Sequence, residues 1–172
     1  MPDLDISVVD LLGRPGEYRD FRVGSKLQGV GNALAHLQAA PVRGDLRAES
    51  VVEGVLVTGA VTGRATLECA RCLVPFVSPV TVDLCELFVA PGHETSAEED
   101  SYRIAGREIH LEPMLRDALT LALPLNPLCR PDCKGLCPHC GRNLNEGSCD
   151  CREDETDPRW AELESLKQKL EG

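Results

Sequence analysis

The chain has 172 residues, 42% of them hydrophobic and 27% charged, with a formal net charge of −10. That length suits one sizeable domain and a small satellite and is too short for two full domains. An acidic surface repels a phosphate backbone, so non-specific nucleic-acid binding is excluded, and aromatic residues at 3% leave too little surface for the stacking platforms of single-strand binders.

Residues 4–12 are largely apolar, residues 13–16 read as a turn, and Tyr18, Phe21 and Val23 follow; this predicts an opening strand or two. Residues 25–40 (SKLQGVGNALAHLQAA) predict a short helix over 32–38, with Gly29 and Gly31 weakening its start. The glycine pair lacks the third glycine and the preceding strand of a dinucleotide fingerprint, so it reads as a loop.

From residue 42 to residue 89 the texture is that of strands. Val55, Val57, Val61, Ala65, Leu67 and Cys69 alternate with Thr58, Thr62, Arg64, Thr66 and Glu68, the period of a half-buried antiparallel strand. Gly59 and Gly63 in that run predict bulges or sharp twists. A second alternation, Val74, Phe76, Val80, Val82, Leu84, Glu86 and Phe88, is interrupted by Pro75 and Pro79, which mark an edge or a bulged start. The two runs predict a long hairpin with its tip near Ala70 and Arg71, inside a twisted antiparallel sheet or small barrel.

The acidic stretch 91–100 reads as a solvated loop, and residues 102–111 as a short hairpin about Gly106. Residues 112–123 (EPMLRDALTLAL) predict the packing helix: Pro113 sits in the first turn, and Leu111, Leu115, Ala118, Leu119 and Ala122 form one face, widened by Leu121 and Leu123. Pro124 and Pro127 end it. At the far end, Asp157 and Pro158 cap a tail helix over 159–170 with Trp160, Leu163, Leu166 and Leu170 on one side. The whole reads as an α+β protein: residues 1–128 a β-rich domain with its packing helix, residues 129–172 a Cys-rich zinc module with an amphipathic helix.

Chemistry concentrates in residues 129–151, CRPDCKGLCPHCGRNLNEGSCDC, which hold six of the nine cysteines. Cys137 and Cys140 are two residues apart and followed by Gly141, a spacing that lets a tight turn aim both sulfurs at one point. Cys149 and Cys151 come after a connector rich in Asn and Gly that can fold back to complete a four-sulfur shell. No leader sequence and no apolar run of membrane length is visible, which implies a cytoplasmic, reducing location where clustered cysteines are more often ligands than disulfides. Zn²⁺ is the expected cofactor, in a closed, structural site.

Cys69 and Cys72 (CARC) fall at the hairpin tip. They read as a redox pair, as a knuckle for a second zinc completed by Cys129 and Cys133, or as plain reduced thiols; equally, Cys129 or Cys133 could join Cys137 and Cys140. Spacing leaves these schemes open. Arg71, Arg130, Lys134 and Arg142 are a candidate RNA-facing patch beside the knuckles.

In order, ECARCL at 68–73, LPLNPLC at 123–129, DCKGLCPHCGRNLNEGSCDC at 132–151 and DPRWAELESLK at 157–167 resemble the YceD family of large ribosomal RNA subunit accumulation proteins. The resemblance covers most of the chain beyond about residue 42. It implies a bacterial or plastid factor for ribosome biogenesis, needed for normal large-subunit rRNA levels, with no established enzymatic activity. The expected partner is then 23S rRNA or a basic protein of the large subunit engaged by the acidic surface, with no membrane and no small-molecule substrate. An enzyme is not expected: His93, His110 and His139 are scattered, and neither a nucleophile elbow nor a phosphate-cradling loop is present.

Overall fold

The computed structural model describes residues 4–93 and 102–151. The chain divides into two compact units, Met1–Cys133 and Lys134–Gly172. The acidic run at 94–100 and the tail helix expected over 159–170 lie outside the described residues.

The first unit is built on strands β1 (Asp5–Ser7), β2 (Tyr18–Ser25), β3 (Ala35–Leu37), β4 (Val42–Val51), β5 (Gly54–Glu68), β6 (Pro75–Val89), β7 (Tyr102–Arg103) and β8 (Glu108–His110), followed by the helix α1 (Leu111–Ala122). The main sheet runs β2-β4-β5-β6-β7, with β3 also on β5, and a separate pair joins β1 to β8. The main sheet is open, so the barrel expected as one alternative is not formed; the twisted-sheet alternative fits an α+β fold.

The hairpin of β5 and β6 is the spine. Its register is continuous from Gly54↔Val89 to Glu68↔Pro75, and the alternation expected from sequence buries Val55, Val57, Val61, Ala65 and Leu67 on one strand and Val80, Leu84 and Phe88 on the other. No bulge interrupts the ladder at Gly59, Gly63 or the two prolines. Pro75 and Pro79 are tolerated because, among the described residues, the other edge of β6 is paired only at Phe88 and Val89. Gly59 answers a different need. Its φ is 138°, and a Cβ there would lie 2.4 Å from the Asp45 carbonyl oxygen of β4, so the close approach of two backbones requires glycine.

The helix expected over 32–38 is a strand. A seven-residue run is too short to nucleate a helix unaided, and β4 pairs with β5 only as far as Arg43↔Thr62. The next stretch of that edge of β5 accepts β3 through Ala35↔Leu67, His36↔Thr66 and Leu37↔Ala65. Nor do residues 102–111 form a hairpin ladder: β7 joins β6 in parallel, β8 joins β1, and only the Ala105↔Glu108 bridge links the two.

The helix α1 buries Leu111, Met114, Leu115 and Leu119. Pro113 needs no N–H partner in the first turn, and Glu112 is bridged to Arg116 at 2.7 Å one turn on. Leu121, expected on the packed face, is 86% exposed, because two residues beyond Leu119 the helix has turned about 200° away from the sheet. Tyr102 donates its hydroxyl to Asp117 of the helix at 2.8 Å, and its ring lies 5.5 Å from that of Phe88. The extended Leu123 and then Pro124 stop the helix, and the chain is delivered to the hairpin tip, where Ala70 donates its N–H to the Pro127 carbonyl at 2.8 Å.

Two outcomes follow. Gly59→Ala should lower stability by about 2–4 kcal/mol through clash and backbone strain, whereas Gly106→Ala, whose Cβ meets nothing within 4 Å at φ 64°, should cost about 1 kcal/mol; denaturant melts compare them. His110 lies 2.6 Å from the Asp5 carboxylate, and that hydrogen bond holds its pKa above the usual imidazole value. Being raised on folding, it contributes stability below the unfolded pKa that fades as pH climbs through the folded one. An NMR titration should find His110 high in the wild type and returned towards its ordinary value in Asp5→Asn.

Candidate metal centres

The nine cysteines are all free thiols, and eight of them gather in two groups, Cys69, Cys72, Cys129 and Cys133 in the first unit and Cys137, Cys140, Cys149 and Cys151 in the second; within each group the sulfurs lie within 4.8 Å of one another. Cys85 is the ninth, exposed on β6. Cys129 and Cys133 therefore stand with the hairpin-tip pair and not with Cys137 and Cys140.

The first group joins two distant segments. Cys69 follows the last residue of β5 and Cys72 precedes β6, while Cys129 and Cys133 come from the chain leaving α1. Cys69 Sγ is 3.7 Å from Cys133 Sγ, and Cys72 Sγ is 3.7 Å from Cys129 Sγ. A disulfide would need about 2.05 Å. An ion bound tetrahedrally at about 2.3 Å from each sulfur would set its ligands about 3.8 Å apart. The spacing fits the ion, and each group consists of four soft thiol donors, the number a closed tetrahedral shell takes.

Both groups use the same turn. In the first unit Cys69 donates its N–H to the Val74 carbonyl at 3.1 Å and Leu73 donates to the Cys69 carbonyl at 2.9 Å; in the second Cys137 donates to Arg142 at 2.8 Å and Gly141 to Cys137 at 2.9 Å. The residue after the second cysteine is left-handed in both, with φ 60° at Leu73 and 71° at Gly141. Glycine holds that conformation freely and leucine does not. Leu73 is the one residue other than glycine with positive φ among the described residues. Sequence reasoning passed over it; aligning CARCL with CPHCG would have exposed the equivalence.

The second half of the second group comes from the Asn-rich connector. Leu144 donates to the Gly135 carbonyl at 2.9 Å, Leu136 bridges Asn143, and the Asn145 side-chain oxygen accepts from the Lys134 N–H at 2.8 Å. The side chains of Asn143 and Asn145 thus do locally what a strand ladder would do elsewhere, folding the chain back so that Cys149 and Cys151 meet the knuckle.

Packing four thiols together separates their acidities. Burial opposes the thiolate of Cys69, but the N–H groups of Cys129, Cys72 and Arg71 outweigh it and bring the thiol down to about 6. N–H groups of Cys140 and His139 do the same for Cys137, against burial, also to about 6. Cys129 is pushed up to about 12 by burial and by the thiols of Cys72, Cys69 and Cys133, and Cys151 to about 12 by Cys140, burial and Cys137. Amides also reach Cys72, from Val74, and Cys149, from Cys151, and N–H groups aimed at sulfur are the outer shell that thiolate sites employ.

The four residues read as an RNA-facing patch are placed as follows. Arg71 donates through Nη1 to the Cys133 carbonyl at 2.9 Å, Arg142 through Nη1 to the Ser148 carbonyl at 3.0 Å, and Arg130 lies 3.6 Å from the Asp132 carboxylate. Lys134 is exposed. Among the histidines, His110 faces Asp5, while His36, His93 and His139 are exposed; none stands in either cysteine group. No helix of the described residues is long and apolar enough to cross a membrane.

Residues 57–167 match the family described as Large ribosomal RNA subunit accumulation protein YceD. An uncharacterised protein of Mycobacterium tuberculosis is 49% identical over 122 residues, 69% of this chain and 58% of the relative. The Bacillus subtilis protein YlbN is 27% identical over 128 residues, 74% of each chain. An Arabidopsis thaliana protein named Large ribosomal RNA subunit accumulation protein YCED homolog 1, chloroplastic, is 34% identical over 65 residues, 38% of this chain and 20% of that one. The chain spans less than three-fifths of the length of the mycobacterial relatives it matches. No solved structure matches it.

The shared turn predicts opposite responses at equivalent positions. Leu73→Gly should raise stability by about 0.5–1 kcal/mol by relieving left-handed strain, and Gly141→Ala should lower that of the second unit by about 1 kcal/mol. Thermal melts with a thiol-accessibility assay on Cys69 and Cys137 read both.

Proposed function

Because the chain belongs to the YceD family, we propose that it is a non-enzymatic accessory factor in the accumulation of large-subunit rRNA, acting in the cytoplasm on rRNA processing or assembly, with two zinc ions as structural elements. The observation that carries the structural role is the closed shell: each group offers four thiols and nothing else, so an ion held by all four has no position left for water or substrate. Zn²⁺ supplies two positive charges to four thiolates and no redox chemistry. The residues that would hold it are Cys69, Cys72, Cys129 and Cys133 in one site and Cys137, Cys140, Cys149 and Cys151 in the other.

The two ions have unequal tasks. The first unit has an extensive apolar core, from Val8 through Leu123, and its site joins segments already close through α1. Among the described residues 134–151, Leu136 and Leu144 are the only aliphatic side chains larger than alanine, apart from the proline, and both are only partly buried. A segment with so little to bury depends on its ion for folding energy.

For the partner, the locally engaged arginines and the net charge of −10 favour a basic large-subunit protein over direct contact with 23S rRNA. A pull-down dominated by such a protein and insensitive to RNase supports that reading; capture that RNase abolishes supports the RNA.

Elemental analysis of the purified chain should return two zinc ions per chain, one for each cysteine group; one ion or none overturns the two-site reading. Chelation should abolish structure in the second unit and leave the sheet signal of the first. In cells depleted of the protein, large-subunit rRNA should fall relative to small-subunit rRNA and be restored by the wild type. An unchanged ratio would sink the proposed role whatever the metal content.

A further inference from the structure

Each cysteine group is made from two halves of chain, and in each an arginine beside the knuckle spans the gap to a backbone carbonyl of the other half. In the first unit Arg71, lying between Cys69 and Cys72, donates to the carbonyl of Cys133 at 2.9 Å. In the second unit Arg142, directly after the knuckle glycine, donates to the carbonyl of Ser148, the residue preceding Cys149, at 3.0 Å. The carbonyl engaged thus belongs to a cysteine of the opposite half or to its immediate neighbour. The two arginines occupy different positions relative to their knuckles, so the shared backbone turn does not by itself impose the contact.

We infer that Arg71 and Arg142 are positioning residues of the two thiolate sites, each clamping the halves of its site together and offsetting the charge of the bound ion's shell. This deepens the metal reading above and rests on it. Four thiolates around one divalent cation leave a net charge of about −2. A guanidinium nearby offsets part of it at no risk of deprotonation, while its planar array of N–H groups fixes the carbonyl it engages. In the first unit the Ala70 N–H on the Pro127 carbonyl also ties the halves, but the clamp is the tie made at the ligand Cys133 itself, so without it a sulfur that leaves the ion is freer to move away. The clamp therefore acts mainly on how fast the ion is lost. Outer-shell partners of metal ligands commonly change affinity by about ten- to a hundred-fold.

The consequence reaches the RNA question. A guanidinium engaged by a carbonyl of its own site has fewer donors to offer a phosphate, so these two side chains work inward.

The test uses the full zinc-loaded chain and an excess of a chromophoric chelator, following release of each ion with time. Arg71→Ala should speed loss of one ion by about ten- to a hundred-fold and leave the other at the wild-type rate, Arg142→Ala should do the same to the other ion, and the double variant should speed both. Arg43→Ala, on β4 and outside both cysteine groups, should change neither. Arg71→Lys and Arg142→Lys, which keep the charge without the planar fork, should lie between wild type and alanine and guard against an alanine variant that fails to fold. Folded variants that release both ions at the wild-type rate overturn the clamp, all the more if they lose RNA binding. A wild-type protein that carries no zinc overturns instead the metal reading beneath it, so the two failures are told apart by the wild-type content and the variant rates.

Discussion

Four thiols within 4.8 Å of one another cannot all ionise readily unless something positive sits among them. Each sulfur that becomes a thiolate makes the next more costly; within one group amide N–H groups draw Cys69 down to about 6, while burial and the neighbouring thiols push Cys129 up to about 12. The turns, the aimed amide groups and the arginines beside them all serve this arrangement. Hydrophobic burial would place a cysteine against carbon; here the backbone spends strain at Leu73 to place sulfur against sulfur.

The groups do different physical work. In the first unit Cys69 and Cys133 are 64 residues apart in sequence, and Cys72 and Cys129 are 57 apart. Linking such distant segments removes freedom from the unfolded chain, but the unit has its own apolar core and would keep its sheet without the link. In the second unit the cysteines are local, the apolar side chains few and the turns made by Asn side chains. There an ion held by the four thiols would replace a core instead of reinforcing one. The same turn thus serves a group that joins distant segments in one unit and a group built from local chain in the other.

The strands were legible where one face is buried. In β5 and β6 the alternation of Val, Leu and Phe with polar residues repeats long enough to outweigh the glycines and prolines within it. It failed where the decision was not local. Residues 32–38 have helical composition, yet Ala35, His36 and Leu37 became a strand because β4 left that part of the β5 edge unpaired. Leu121 was read into the packed face from its chemistry alone, although its angular position carries it to the solvent side. At the sites, the pairs Cys137 with Cys140 and Cys149 with Cys151 were readable from spacing, and Gly141 from the turn it closes. Leu73, filling the corresponding place in the other knuckle, gave no such signal because its residue type argues against the conformation it adopts.

By itself the sequence determined the chemistry available: thiols in closely spaced pairs, an acidic surface, few aromatics, a long hairpin and one well-bounded helix. Spacing of a few residues is a local property, and so it survives in the sequence. Which pair joins which was decided only by tertiary structure, because α1 and the prolines after it carry Cys129 and Cys133 to a hairpin tip that lies far back along the chain. The same holds for Arg71, whose charge is visible in the sequence while the Cys133 carbonyl that engages it comes from a segment brought near only by folding.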